Sequence, residues 1–508
     1  MRRWTDSAGR VLEGRRSLPL VIALAALTRF VGLAHHPLWY DEAFSVLIAR
    51  KGPGAMLRGT LTLTGSSAAD VHPVLYYVLL WRWMAAFGES VIGIRLLSAL
   101  LGLVTVALVW ILARDLIGSR MGTIAALLIA LSPFQVHYSQ EVRMYALLAV
   151  FLLGATLALW RGTWKGGWPW WVCLSVCTAL AMYTHLLAAA FLVPLYLTPL
   201  LWKKMRALRN AAFSGLGSIL LFLPWLVQVP SQVSKVTSGY WVPRPGVQDL
   251  ISTLLVFVNE LPVPTAVLPV SLFIAILVLL LAVFQTARVR NAGSAQTRWG
   301  FWFGYLSTAP VLLAFLLSQW YSVFVQRAFI ASGVFFVVWV CWALSSSSVP
   351  RLVRTLGLGI FLLAQLAGLY YRYAYDGFPY APFPMLVSSL RSDLQPGDVV
   401  LHSNKITMLP SVYYGPDLPQ SYLRDVPGSP SDTLAPETQR VLGLLASDNP
   451  GEAVGDARRV DFIVFQQELD EYEAQSGSPD PNLTWLSARF TLRAKIQLGD
   501  LRLYEFSR

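Results

Sequence analysis

Cysteine and charge are both scarce in this chain. Its three cysteines, Cys173, Cys177 and Cys341, all fall inside apolar runs, the first two one helical turn apart. That pattern gives neither a disulfide framework nor a zinc-ligand spacing. Only 13% of the residues are charged against 55% hydrophobic, a balance too apolar for an ordinary soluble globule and one that defines a polytopic α-helical membrane protein. Acidic residues are scarcest where the chain is most apolar. Residues 1–375 carry 29 Lys/Arg and 10 Asp/Glu, a net +19, whereas residues 376–508 carry 11 and 18, a net −7. The two stretches are built for different solvents. No internal repeat or low-complexity tract is present, so the repeated halves of many transporters are missing.

What is present is a series of long apolar runs. They cover residues 18–34, 91–113, 121–136, 144–160, 169–185, 187–202, 211–229, 266–286, 299–318, 323–345 and 353–371. These predict about eleven spans, some shorter than the roughly 20 residues that cross a bilayer comfortably. Arg2, Arg3, Arg10, Arg15 and Arg16 precede the first run and hold the N-terminus in the cytoplasm by the positive-inside rule. A cleaved signal peptide is the competing account, but no small-residue cleavage site precedes His35-His36. The shorter run from Leu75 to Phe87, interrupted by Arg82, is expected to lie in the interface. With that helix on the outer surface, each cytoplasmic connection is basic, from Arg114 and Arg120 through Arg161 and Lys165 to Arg351 and Arg354. An odd number of spans then delivers residues 376–508 to the outside of the plasma (inner) membrane. Because the net positive charge resides largely in the inner loops, it gives no reason to expect a nucleic-acid partner.

The tail has a different character. Strand-like runs at Asp398 to Leu401, Asp461 to Phe465 and Leu501 to Tyr504, with helical stretches between them, predict a small extracytoplasmic α/β domain. The segment 425–458, rich in Pro, Ser, Gly and Asp, is expected to be a long loop within it. The expected organisation is a transmembrane domain over 1–375, with a first outer loop at 35–90, followed by a soluble domain over 376–508.

Ionisable groups gather on one side of this arrangement. Seven of the ten carboxylates in 1–375 fall outside: Asp41, Glu42, Asp70, Glu89, Glu141, Asp249 and Glu260. Five of the six histidines, His35, His36, His72, His137 and His185, lie at outer helix ends or in the first outer loop. Asp41 and Glu42 are adjacent carboxylates just past the first span. A charge at the hydrocarbon boundary is costly and marks function by default, although two solvated loop acids would look the same in sequence. Arg143 and Arg327 also lie outside, against the positive-inside bias. A guanidinium offers a fork of donors matched to phosphate oxygens; the alternative is snorkelling from a helix end. His72 and His185, with Asp70 or Glu141, serve as divalent-metal ligands, as polar lining or as structural histidines, and their spacing leaves all three open. The sequence requires no cofactor. Tyr240 and Trp241, in an outer loop, are candidates for contact with a sugar, whereas Trp164, Trp168, Trp170 and Trp171 read as an interfacial belt.

Four segments in order carry a resemblance. They are Leu38-Trp39-Tyr40-Asp41-Glu42, Asp70-Val71-His72-Pro73-Val74-Leu75-Tyr76-Tyr77, Arg95-Leu96-Leu97-Ser98-Ala99-Leu100-Leu101-Gly102, and Ser132-Pro133 through Tyr138-Ser139-Gln140-Glu141-Val142-Arg143-Met144-Tyr145. Together they resemble the membrane-embedded GT-C glycosyltransferases, and within them the bacterial relatives of dolichyl-phosphate-mannose protein mannosyltransferases and the lipid A aminoarabinose transferase. The resemblance implies a GT-C-like fold and transfer of a sugar from a polyprenyl-phosphate carrier to an extracytoplasmic acceptor, whether lipid, glycan or protein. It implies that Asp41 is the catalytic carboxylate with Glu42 beside it, and that Arg143, with Arg327, meets the donor phosphate. Asp70, His72, Tyr76, Glu141 and His185 then line the active site. Two departures stand out: His72-Pro73-Val74 where the family often has His-Pro-Pro, and Arg327-Ala328 where it often has Arg-Tyr.

The chemistry agrees. Such a transfer needs a base for the acceptor hydroxyl, cations for the leaving phosphate and an apolar cleft for the isoprenoid. One positioned carboxylate contributes about 10²–10⁴-fold as a general base, and direct displacement inverts the anomeric configuration. A transporter or lipid flippase is the reading from another class. It calls for ionisable residues near the bilayer midplane or broken, repeated halves, whereas here the charges gather at one face.

Overall fold

The computed structural model describes residues 17–61, 72–230, 232, 242–289, 295–345, 349–425 and 433–508. Asp70, Tyr240, Trp241 and the five N-terminal arginines lie outside them. The chain divides into two compact units. One comprises Met1–Leu33, Arg95–Val229 and Val242–Tyr375, the other Ala34–Ile94, Pro230–Trp241 and Asp376–Arg508.

The first unit is helical. Each of the apolar runs forms a helix, and among the described residues seven are long and apolar enough to cross a membrane: Val91–Ile117, Tyr145–Trp164, Met205–Leu226, Leu268–Val289, Arg298–Leu317, Gln326–Ser345 and Arg351–Ala374. The pair Ser119–Leu131 and Pro133–Ser139, bent by 60°, makes an eighth if counted as one span. The other three runs form shorter helices, Ser17–Phe30, Trp168–Thr184 and Ala188–Leu201, of 14, 17 and 14 residues. Seven to eight spans by length therefore stand against the eleven expected. The difference arises because hydropathy continues through residues that cap or link helices. Val247–Val258 is a further apolar helix that the run pattern did not mark. Asp249 in its first turn accepts from Gly246 N at 2.8 Å, so one of the carboxylates assigned by sequence to the outer side caps a helix.

Burial orders these helices. Gln326–Ser345 is 94% buried over its apolar window, as expected of a helix that is hydrophobic on every side. Met205–Leu226, Leu268–Val289 and Arg351–Ala374 are each only 28% buried, and they turn Leu220, Phe273 and Leu363 outward. An apolar exterior of this kind is what acyl chains solvate. At one set of helix ends Asp115 receives Arg114 at 3.1 Å, Arg161 at 3.1 Å and Lys165 at 3.2 Å, gathering residues assigned to inner loops. Lys204 and Arg298 lie over the Trp164 ring, in keeping with an interfacial aromatic.

The break at Ser132-Pro133 shapes the other end. Proline has no N–H, which frees a carbonyl one turn earlier. Arg29 Nη2 donates to Ile129 O at 3.2 Å and Nη1 to Ala130 O at 2.8 Å, while Thr28 Oγ1 donates to Ala130 O at 2.9 Å. The Arg29 guanidinium is fully buried at the carbonyl ends of Ser17–Phe30 and Ser119–Leu131, where helix dipoles favour a cation. Beyond it, Gln140 Nε2 donates to Arg29 O at 3.2 Å and Val31 O at 3.0 Å, and the Tyr373 hydroxyl donates to Thr28 O at 2.7 Å. The irregular backbone is thus satisfied inside the protein, as a low-dielectric setting demands.

The second unit carries a six-stranded mixed sheet, the small α/β fold expected of the tail. Its strands are β1 Val399–His402, β2 Gln420–Leu423, β3 Ala446–Ser447, β4 Arg459–Phe465, β5 Thr491–Leu498 and β6 Leu501–Ser507, in the order β3-β2-β1-β4-β6-β5. β3, β2, β1 and β4 are parallel neighbours, and β6 pairs antiparallel with β4 and β5. β4 is buried on both faces, as central strands in parallel pairings are; Phe462 and Val464 enter one core, Ile463 and Phe465 the other. The expected strands correspond to β1, β4 and β6. β2, β3 and β5 escaped because they are short or polar.

Two expectations for this unit change. Within 425–458 the chain is not one long loop: the described part holds the helices Pro436–Leu442 and Pro450–Val454 and strand β3. Its prolines begin helices, a position they favour, and Asn449 Oδ1 caps one by accepting from Glu452 N at 3.0 Å. Residues 35–90, assigned by sequence to the 1–375 domain as an outer loop, contain the helices Tyr40–Arg50, Pro53–Leu61 and Leu75–Phe87 and group with the tail. Leu38 N donates to the Tyr414 hydroxyl at 3.0 Å, the Tyr413 hydroxyl to Glu89 O at 2.6 Å, and Thr438 Oγ1 to Gly59 O at 3.0 Å.

Gly102 tests the packing around Arg29. A Cβ there would collide with Ser139 Oγ and stand 3.0 Å from Arg29 Nε, whereas one at Gly359 meets nothing within 4 Å. Gly102→Ala is expected to destabilise the protein by about 1–3 kcal/mol through overpacking, and Gly359→Ala to leave stability unchanged or slightly raised. Thermal unfolding of the purified protein in detergent reads both.

Candidate active site

Asp41 and Glu42 occupy the first turn of Tyr40–Arg50, 7% and 0% exposed. The dipole of a helix favours carboxylates at that end. They are therefore buried side chains on a helix, not loop acids in water. Around the same helix start, Lys405 Nζ lies 5.4 Å from the Tyr40 ring centroid, and His36 stacks on Tyr380 at 4.4 Å. Tyr76 is buried in Leu75–Phe87, and His72 is partly exposed just before it. All of these belong to the second unit.

The first unit assembles a separate set. His137, near the end of Pro133–Ser139, places Nε2 3.0 Å from Glu141 Oε1 and Nδ1 3.2 Å from Glu260 Oε1. A neutral imidazole carries one N–H only, so a ring flanked by carboxylate oxygens at both nitrogens satisfies them fully as imidazolium. Glu141 and Glu260 are 3% and 5% exposed. Burial pushes the Glu141 carboxyl up, but His137, Arg372 and Arg327 outweigh it and leave the group below its ordinary value. Arg143, two residues on, is 3% exposed, and Arg372, near the end of Arg351–Ala374, 9%.

Aromatic contacts tie the set together. His137 stacks on Tyr138 at 4.6 Å, and Tyr138 meets Tyr145 edge-on at 5.0 Å. The Arg327 guanidinium carbon lies 5.4 Å from the Tyr145 ring centroid, and the His185 ring 6.0 Å from it. His185 Nδ1 also accepts from Leu187 N at 3.1 Å, so part of its role is to shape the turn after Trp168–Thr184. Glu260 follows Val247–Val258 with φ +64°, a left-handed conformation that costs a non-glycine residue about 1–3 kcal/mol and clusters at functional sites. Asn259 anchors it by donating through Nδ2 to Ala364 O at 2.8 Å. Gly368 permits that approach, since a Cβ there would overlap Asn259 O.

Among the expected site residues, the structure therefore joins Glu141, Arg327 and His185 in one cluster, with Arg143 in the same segment as Glu141. Asp41, Glu42, His72 and Tyr76 fall in the second unit, and Asp70 lies outside the described residues. His137 and Glu260 were legible as outer ionisable groups without a role. Arg372 was overlooked, although the expected topology puts it at the outer end of the last run against the positive-inside bias, the same signal that marked Arg143 and Arg327. Among the described residues, no three His, Cys, Asp or Glu side chains are disposed to hold a metal ion; His137 spends both ring nitrogens on carboxylates.

A helical unit with apolar outer faces, a second unit with a mixed sheet, and arginines gathered with acid–base groups at one set of helix ends define a class. The fold is that of the GT-C membrane glycosyltransferases, and the chain is a multi-pass membrane protein. It is similar over almost its whole length to ArnT from Cupriavidus metallidurans bound to undecaprenyl phosphate, with TM-score 0.61, 11% identity and coverage of 96% of this chain and 97% of that one. The oligosaccharyltransferase of Archaeoglobus fulgidus gives TM-score 0.51 at 10% identity, covering 97% of this chain and 74% of that one. In sequence, residues 71–227 match the dolichyl-phosphate-mannose-protein mannosyltransferase family. The undecaprenyl phosphate-alpha-4-amino-4-deoxy-L-arabinose arabinosyl transferase 1 of Pseudomonas fluorescens is 28% identical over 249 residues, 45% of this chain. That match spans 42% of the relative's own length. The proteins this chain resembles are glycosyltransferases.

The bridging role of His137 is open to measurement. His137→Phe keeps a ring for stacking on Tyr138 but leaves two buried carboxylates without their shared partner, a change expected to cost about 3–5 kcal/mol. Thermal unfolding in detergent should show the loss, and unchanged unfolding would mean that the carboxylates do not depend on the ring.

Proposed function

We propose that this protein transfers a sugar from a polyprenyl-phosphate carrier to an extracytoplasmic acceptor. The observation that carries the reading is the pair of guanidinium groups, Arg327 and Arg372, around the Glu141–His137–Glu260 bridge, with Arg143 two residues beyond Glu141, in a chain with the GT-C fold. Two guanidinium groups and an imidazolium against two carboxylates leave a net +1, and Arg143 adds a further cation in the same segment. A sugar phosphodiester carries one negative charge, and the departing phosphate monoester carries up to two. A fixed cationic surplus therefore stabilises the product side of bond breaking more than the ground state, the requirement for catalysis by charge. The undecaprenyl phosphate named for two of the proteins it resembles supports a carrier of this chemistry.

In this reading Asp41 is the general base and Glu42 orients it or contacts the acceptor. The acceptor oxygen bonds to the anomeric carbon, its proton passes to Asp41, and the bond from that carbon to the phosphate oxygen breaks. Polyprenyl phosphate leaves with the electron pair. Because the leaving group is already a phosphate, it needs little help from an acid, and a single displacement inverts the configuration. Asp70, His72, Tyr76, Glu141 and His185 keep the active-site-lining role that the resemblance implies for them. The N-terminus is cytoplasmic, the helical domain holds the carrier in the membrane, and residues 376–508 form an extracytoplasmic domain. The acceptor is a lipid, glycan or protein at the outer face.

Four measurements bear on this. Asp41→Asn should retain donor binding yet lower turnover by about two to four orders of magnitude, with Glu42→Gln costing less; NMR of the product linkage should show inversion. Near-normal turnover in folded Asp41→Asn, or retained configuration, overturns the mechanism. Arg143→Ala and Arg327→Ala should weaken binding of a polyprenyl-phosphate sugar more than Arg354→Ala, and equal small effects would mean that the outer arginines merely snorkel. A reporter active only in the cytoplasm, fused after Asp376, should stay silent.

A further inference from the structure

The bridge around His137 leaves something over. Glu141 and Glu260 each use Oε1 on the imidazole, and the second oxygen of each, Oε2, is buried with no hydrogen-bond partner among the described residues. A carboxylate oxygen shut away from water without a donor forfeits a charge-assisted hydrogen bond, a cost above the roughly 1–3 kcal/mol of a neutral group. Here the two carboxylates that carry such oxygens share one ring. The φ of +64° at Glu260 adds backbone strain at the same place, and Asn259 and Gly368 hold that backbone where it is. Packing alone would be served better by an apolar residue at 260. The strained, anchored carboxylate makes sense as half of a pair that accepts from a ligand.

We infer that Glu141 and Glu260 form a sugar-recognition subsite, in which their Oε2 atoms accept hydrogen bonds from neighbouring donor groups on the sugar ring of the lipid-linked donor. The inference rests on the glycosyl-transfer reading and deepens it: the arginines hold the phosphate, and the paired carboxylates read the sugar attached to it. His137 is the positioning residue, since it engages one oxygen of each carboxylate and leaves the other for the ligand. Tyr138, stacked on His137 and edge-on to Tyr145, adds an aromatic wall to the same cluster. The donors recognised are hydroxyls or a protonated amine, and both satisfy a carboxylate oxygen; an amine gains charge in addition. A sugar lacking donors at the matched positions leaves two buried oxygens unsatisfied and is rejected strongly, as sites built around buried polar groups reject ligands that cannot pair with them.

The test compares carriers with and without sugar on the full-length protein in nanodiscs. Wild type and the variants Glu260→Gln, Glu141→Gln and Glu260→Asp are titrated with sugar-free undecaprenyl phosphate, with an undecaprenyl-phosphate neutral sugar and with an undecaprenyl-phosphate amino sugar. The expected result is a weakening of about tenfold or more for at least one sugar-bearing carrier in Glu260→Gln and Glu141→Gln, equivalent to about 1.4 kcal/mol. Sugar-free carrier should change by less than about twofold, and Glu260→Asp should recover part of the loss. A larger loss for the amino sugar identifies an ammonium as the recognised group; equal losses identify hydroxyls. Parallel losses for sugar-bearing and sugar-free carriers would overturn the subsite in favour of a structural role, as would unchanged binding of all three. Since the comparison reads binding alone, a protein that binds sugar-bearing carriers through Glu260 but transfers nothing would refute the glycosyl-transfer reading and leave the subsite standing.

Discussion

One buried guanidinium governs the geometry of the helical unit. Arg29 lies where Ser17–Phe30 ends and where Ser119–Leu131 breaks before Pro133, and its donors meet the Ile129 and Ala130 carbonyls. Without it, Ile129 O, which the proline deprives of its helical donor, would keep only the long bond from Ser132 N at 3.4 Å in a medium that has no water to offer. With it, the chain bends by 60° and Pro133–Ser139 carries His137 into the cluster, followed directly by Glu141 and Arg143. Gln140 and Tyr373 cap the neighbouring carbonyls, and Gly102 lets Val91–Ile117 close over Ser139. The site is thus fixed through backbone satisfaction before any of its own charges act.

The charges then balance locally. Carboxylates, a histidine and arginines are each expensive to bury alone, and a buried ion pair is weak evidence for stability because desolvation can exceed the attraction. What the cluster gains by keeping them is chemistry: a cationic surplus for phosphate, a fixed imidazole and two carboxylate oxygens left over. The strain at Glu260 and the apolar character of the helices around it fit a site maintained against the preferences of its surroundings. Asp115 shows the contrasting case. Arg114, Arg161 and Lys165 all converge on it, and the result is a saturated structural knot at the opposite helix ends.

The second unit joins pieces distant in sequence. Helix Tyr40–Arg50, with Asp41 and Glu42 in its first turn, belongs with a sheet whose first strand begins more than three hundred residues later. Leu38 N, just before this helix, donates to the Tyr414 hydroxyl, and the Tyr413 and Thr438 hydroxyls donate to Glu89 O and Gly59 O further along the same segment. The segment between the first apolar helix, Ser17–Phe30, and the long helix Val91–Ile117 groups with the tail's fold.

The sequence alone determined the medium and the class. A 55% hydrophobic composition with 13% charge admits few alternatives to a membrane bundle, and each long apolar run is indeed a helix, because apolar length is a local property. The four ordered segments sufficed for the glycosyltransferase resemblance, and the central strand β4 was legible because a strand buried on both faces is apolar throughout. Tertiary structure decided what depends on distant partners. Residues 35–90 could not be seen to group with 376–508, since the bonds from Tyr413 and Thr438 leave no periodic trace. β2, β3 and β5 take their state from neighbouring strands. Arg372 and Glu260 gained meaning only when helix ends far apart in the chain brought them to His137. A single charged residue in sequence shows the cost of burial, and only the fold shows which groups share that cost and what they are left free to bind.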